Sequence, residues 1–117
     1  MSSLNDLPPA VQEQIKQLQT LQTQLQNVKQ QIDISQSRIS ELKGTLKDIE
    51  SFPDDEELFK TVGQVMFKTT AGKVKTDFKE ELELLELKIS SLKNKEEKWK
   101  TQFNDMNKAI SSQLNLQ

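Results

Sequence analysis

The chain has 117 residues, of which 33% are hydrophobic and 29% charged, with one Trp and no Tyr, His or Cys. That is too little apolar material for an ordinary packed core of this length, but it suits a long helical pair with a narrow buried seam. The 16 basic and 18 acidic residues are interspersed and leave a net charge of −2, so no basic stripe marks a nucleic-acid partner.

Asp6-Leu7-Pro8-Pro9 reads as a helix start, because proline is tolerated in a first turn where its missing N–H has no partner to lose. Downstream, Leu, Ile and Val recur through Gln-rich sequence. From Leu21 onward their steps alternate between four and three, which is a heptad. Leu21, Val28, Ser35, Leu42 and Ile49 take the d positions; Leu25, Ile32, Ile39 and Leu46 take the a positions. The step from Leu18 to Leu21 reads as a local stammer. Gly44 falls at an f position, facing solvent.

Ser51-Phe52-Pro53 ends this helix, since proline disfavours helix at the residue before it. The acidic run Asp54–Glu57 lacks the ligand spacing and glycine of a calcium loop and reads as a solvated turn. Then come two short runs rich in β-branched and aromatic residues, Leu58–Val62 and Gln64–Thr69, separated by Gly63. They predict a β-hairpin with apolar side chains on both faces. A lone hairpin is marginal in water and leaves its edges open. Leu58, Phe59, Val62, Gly63, Val65, Met66 and Phe67 are therefore the expected subunit-assembly residues, completing a shared sheet or barrel with other subunits.

Thr70 can cap a second helix beginning at Ala71. Phe78, Leu85, Leu92, Trp99 and Met106 take d, and Leu82, Ile89, Glu96, Phe103 and Ile110 take a. Trp99 and Phe103 are seam residues at helical spacing. Each array carries one polar interruption, Ser35 and Glu96. Setting the two in one layer predicts an antiparallel register with Ile49 against Leu82, Ile39 against Leu92, Ile32 against Trp99 and Val28 against Phe103.

The expected fold class is thus mainly α with a small β element: a long antiparallel two-helix coiled coil joined by a central β-hairpin that assembles into an intersubunit β-barrel. One domain is expected over 1–117, with helix at about 8–51, hairpin at 57–69 and helix at about 71–114. In the predicted register Val11 has no partner layer. Fraying at the far end would expose Leu4, Leu7, Val11, Ile15 and Leu18 beside Ile110, Leu114 and Leu116. Such residues suit weak binding of apolar segments in other proteins, and they equally suit ordinary packing at a helix end.

With no His, Cys or Tyr and no glycine-rich phosphate loop, neither catalysis nor a metal nor a cofactor is expected. No apolar run approaches the roughly 20 residues of a membrane span, and the N-terminus lacks a signal-peptide pattern. The expectation is a soluble cytoplasmic protein with no membrane partner.

The run Leu7-Pro8-Pro9-x-Val11-Gln12 is followed by Pro53-Asp54-Asp55-x-Glu57-x-Phe59-Lys60-x-Val62-Gly63, then Phe67-Lys68-Thr69 and later Glu96-Glu97. Together these resemble the β-type subunits of the prefoldin family, most of all the archaeal ones, over nearly the whole chain. Thr70-Ala71-Gly72 departs from the more charged helix start usual in that family, and Phe59 stands where Tyr is common. The resemblance implies a chaperone hexamer of two α-type and four β-type subunits built on two stacked β-barrels. It implies ATP-independent holding of non-native polypeptides at the coiled-coil tips and their transfer to a group II chaperonin. A structural coiled-coil adapter or tether without client binding is the alternative.

Overall fold

The computed structural model describes residues 4–114. A single 3-10 turn, Leu4–Asp6, precedes helix α1, Pro9–Ile49. Strands β1, Glu57–Val62, and β2, Val65–Thr70, lead directly into helix α2, Ala71–Gln113. The chain forms two compact units. One combines its start, up to Ile32, with Ser91 onward; the other is Asp33–Ser90 and contains the hairpin.

The helices form where the heptads run, and they end where the local chemistry stops them. Pro9 opens α1, and the Pro8 carbonyl accepts from the N–H groups of Val11 and Gln12, both at 3.0 Å. The Gln12 side-chain amide donates back to the Leu7 carbonyl at 2.7 Å and so ties down the entry. At the other end, Pro53 cannot continue α1. Thr70 caps α2 by accepting from the Lys73 N–H at 3.3 Å.

β1 and β2 pair antiparallel from Glu57↔Thr70 to Val62↔Val65, around the two-residue turn Gly63-Gln64. Gly63 has φ +59°, a backbone conformation that matches strand twist in a tight hairpin and favours glycine.

The seam of α1 is buried or half-buried at every a and d position from Val11 to Ile49, and Leu42 is fully enclosed. Leu18 takes an a position three residues before Leu21, and Gln14 occupies the preceding d position. The heptad therefore runs through without the stammer expected at Leu18–Leu21. Gln14 leaves its side-chain Oε1 buried with no hydrogen-bond partner among the described residues.

The predicted register is off by one heptad. In the hairpin-bearing unit, Arg38 Nε donates to Glu81 Oε2 at 2.6 Å. The predicted register would set Glu81 level with Glu50, about 12 residues or roughly 18 Å along the axis from Arg38. Moving α2 by one heptad sets Glu81 about five residues from Arg38, a span these two long side chains cover. It also sets Lys75 level with Ile49, and Lys75 Nζ indeed reaches the Phe52 carbonyl at 2.7 Å. Ser35, 2% exposed, then lies level with Ile89 rather than Glu96.

In the other unit, Val28, Ile32 and Leu92 form one buried cluster with Trp99 packed against it. That grouping puts Ile32 level with Leu92 instead of Trp99. The physical reason is the point at which α2 begins. The prediction matched Ser35 to Glu96 and so set Leu82 against Ile49 as the first layer, but Ala71 and Val74 are already buried. The first turns of α2 therefore stand beside the last turn of α1.

Candidate assembly and client-binding surfaces

The hub loop, residues 50–56, is held from below by α2. The Gly72 N–H donates to the Asp54 carbonyl and the Ala71 N–H to the Glu56 carbonyl, both at 2.9 Å. Lys75 sits at a seam position with its side chain only 18% exposed. Its ammonium donates to the Phe52 carbonyl, with longer contacts of 3.5 Å to the Glu50 carbonyl and to Asp54. A cation placed among carbonyls just beyond the end of α1 gives the hub loop a charged donor and lies near the negative end of the helix dipole. Gly72 is required by close approach: a Cβ there would lie 2.9 Å from Asp54 Cβ and 3.1 Å from its carbonyl oxygen.

On this base the hairpin presents apolar side chains to solvent. The register puts Leu58, Lys60 and Val62 on one face with Val65, Phe67 and Thr69, and Phe59 and Thr61 on the other with Met66 and Lys68. Phe59, Val62, Val65, Met66 and Phe67 are all exposed, whereas Leu58 is half-buried. A cleft of about 400 Å³ opens between β1 and the helices, lined by Arg38, Ile49, Leu58, Phe59, Val74 and Phe78 among others. Two open strand edges and five exposed apolar side chains are what a shared sheet needs and what a lone hairpin tolerates badly.

Arg38 organises the helices beneath. Its Nε and Nη2 donate to the two Glu81 oxygens at 2.6 and 3.0 Å, its Nη1 donates to Glu41 at 3.0 Å, and its guanidinium lies 5.8 Å from the Phe78 ring centroid. The hydrogen bond from Arg38 holds the Glu81 carboxyl below the usual range, opposed by desolvation and aided by the charges of Arg38 and Lys60. The same bond raises Arg38.

The tip residues lie in the other unit. Val11 and Ile110 are buried, while Leu7, Ile15, Leu18 and Leu114 are half-buried. The exposure expected of Val11 and Ile110 is not found. The one-heptad correction gives Val11 a layer beside Gln113 and sets Ile110 beside Gln14. Leu4 lies in the 3-10 turn; Leu116 falls outside the described residues.

This arrangement has close counterparts. A family model described as "Prefoldin subunit" matches residues 12–117. The chain belongs to the prefoldin subunit family. Prefoldin subunit beta of Pyrococcus horikoshii is 37% identical over 111 residues, covering 95% of each chain. That of Thermococcus kodakarensis is 38% identical over 111 residues with the same coverage. The crystal structure of the prefoldin beta subunit from Thermococcus strain KS-1 superposes with a TM-score of 0.77 at 38% identity, covering 93% of this chain and 96% of that one. Two long helices joined by a two-stranded antiparallel hairpin are the prefoldin beta fold, and this chain is a prefoldin chaperone subunit.

Sequence reasoning missed Lys75, Gly72 and the Arg38–Glu81 pair. A signal for Lys75 existed: extending the second heptad backward from Phe78 puts a lysine at an a position, which invites the question of what neutral oxygens it meets. Among the described residues no cluster of three or more acidic groups could hold a metal ion, and no helix is long and apolar enough to cross a membrane.

Proposed function

We propose that this prefoldin subunit works as an ATP-independent holdase. In this reading it captures non-native polypeptides at the end of the helix pair bearing both termini and passes them to a group II chaperonin. It assembles through Leu58, Phe59, Val62, Gly63, Val65, Met66 and Phe67 with other copies and with α-type subunits, in an α2β4 hexamer whose hairpins close into β-barrels. It acts as a single domain in the cytoplasm.

The observation that carries the assembly half is the hairpin, whose apolar side chains are exposed on both faces with both edges unpaired. The client-binding half draws support from half-buried Leu7, Ile15, Leu18 and Leu114, whose apolar atoms are partly available without unfolding the end. Leu4 and Leu116 extend the same set in sequence. Val11 and Ile110 contribute when the last layers open.

Their burial also favours a second reading, a coiled-coil tether whose closed end binds nothing. Truncation separates the two. Removing residues 1–18 and 110–117 leaves a holdase assembled but unable to suppress aggregation of a denatured client. Equal protection by the truncated complex would rule out tip binding. Mass measurement with and without α-type subunits tests the assembly, and a monomer under every condition would contradict it.

A further inference from the structure

The two sides of the seam in the hairpin-bearing unit are charged differently. On the g side, Arg38 of α1 meets Glu81 of α2 in a forked ion pair. On the e side, Lys43 of α1 and Lys79 of α2 both take e positions and line the same cleft. The register that sets Lys75 level with Ile49 sets Lys79 level with Thr45, between Lys43 and Lys47. Like charges in such a cluster weaken a helix pair, where an acid opposite a base would strengthen it. Among the described residues no carboxylate forms an ion pair with Lys43, Lys47 or Lys79. The helix dipole accounts for Lys47, in the last turn of α1, but not for Lys43 or for Lys79 on α2.

We infer that this side of the hairpin-bearing unit is a binding site for an oligophosphate, a short chain of phosphate groups. The three lysines and Lys75 open onto one cleft of about 530 Å³. Small-molecule sites span roughly 300–1,000 Å³. The cleft is also lined by Leu46 and by the carboxyl-bearing Glu50 and Asp54. Those two acids lie toward the hub, where the Lys75 ammonium stands 3.5 Å from Asp54. Four lysines against two acids leave the cleft cationic in a chain whose net charge is −2. Glu83 and Glu86 follow on α2 without lining it.

The lining selects among anions. Leu46 is its one apolar residue among the described ones, and no aromatic ring lines it. An amphipathic helix therefore finds no row of apolar anchors there, and a nucleobase finds no ring to stack on. Lysine binds phosphate as a point charge on a flexible stem. Lys43 and Lys47 are one turn apart, roughly 6 Å along the axis, with Lys79 facing the interval. Three such groups suit a ligand that carries several charges on one short chain, whereas a single phosphate neutralises only part of the cluster.

The probe is inorganic triphosphate, titrated calorimetrically into the assembled full-length protein at low salt without divalent cations. Lys43→Gln/Lys79→Gln should raise the Kd roughly tenfold or more. Lys29→Gln/Lys93→Gln, which removes two lysines of the other unit, should leave it unchanged. Triphosphate should also raise the melting temperature of the parent and not of Lys43→Gln/Lys79→Gln. Affinity should fall as salt is added. A single phosphate and a tetraglutamate peptide should bind roughly tenfold more weakly than triphosphate, and ATP no more tightly. Lys43 and Lys79 are exposed, so circular dichroism should report unchanged helix in the variant; Lys47→Gln alone, expected to weaken binding severalfold, supplies a second variant. The inference is overturned if triphosphate does not bind the parent, or if the variants of the two units lose binding equally. It is likewise overturned if the glutamate peptide binds as tightly, which would assign the cleft to an acidic polypeptide, or if ATP is preferred, which would require a site for the base.

Discussion

Arg38 and Glu81, 43 positions apart, are joined by two parallel hydrogen bonds at 2.6 and 3.0 Å, and this pair marks the register of the two helices. A forked guanidinium–carboxylate contact has one good geometry. A slip of one heptad to the register that matches Ser35 to Glu96 would leave the partners about 12 residues, roughly 18 Å, apart along the axis. Cysteines at 32 and 92 should therefore crosslink within one chain on oxidation, whereas cysteines at 32 and 99 should not. Electrophoresis without reductant reads the result, and the reverse pattern would restore the register in which Ser35 meets Glu96.

Acid should weaken this bridge. The folded Glu81 carboxyl lies below its ordinary value, so its contribution is complete above about pH 4.5 and is lost as pH falls through the folded value. Arg38 is raised, so it keeps its charge throughout that range. Both side chains are 38% exposed, and solvent screening limits the contribution to about 1 kcal/mol or less. Glu81→Gln should flatten the acid limb of a stability-versus-pH curve measured by urea unfolding. An unchanged slope below pH 4.5 would remove the bridge from the account.

The two helical glycines should respond oppositely to alanine. At Gly44 an added Cβ meets nothing within 4 Å, so Gly44→Ala should stabilise by about 0.5–1 kcal/mol. At Gly72 the new Cβ would press on the Asp54 backbone and side chain. Gly72→Ala should destabilise by about 1–3 kcal/mol. Thermal melts of the pair give the sign directly.

Lys75→Met keeps the seam filled but leaves the Phe52 carbonyl without its charged donor. Such a bond is worth about 1.5–3 kcal/mol, of which the part-exposed geometry recovers some through water. Amide exchange should speed up across residues 50–56, while protection in the middle of α1 stays as it was. Uniform acceleration along the chain would mean that Lys75 supports the whole fold and not the hub.

Phe59→Asp and Val65→Asp each place a charge on the exposed hairpin without touching the helical seam. Both should lower the mass of the assembly while circular dichroism reports unchanged helix. Retention of full mass in both variants would move the interface elsewhere.

The heptads made the two helices and their seam faces readable, because a buried stripe on a helix imposes a period that composition alone does not hide. Proline at position 53 and glycine at 63 made the hub readable, because each residue type restricts the backbone in its own way. The tip was read less well. Gln14 hides a seam position behind a polar side chain, so the heptad looked broken at Leu18, and the one-heptad error in register left Val11 without a partner.

What the sequence determined by itself is therefore local: where each helix runs, which face it buries, where the chain turns, and that the hairpin carries more apolar surface than one chain can cover. What only the tertiary structure decided is the offset between the helices. A heptad repeats, so the pattern is nearly satisfied at every seventh residue, and matching Ser35 to Glu96 picked the wrong repeat. The choice was made by contacts distant in sequence: Lys75 on the Phe52 carbonyl, Gly72 against Asp54, and Arg38 on Glu81.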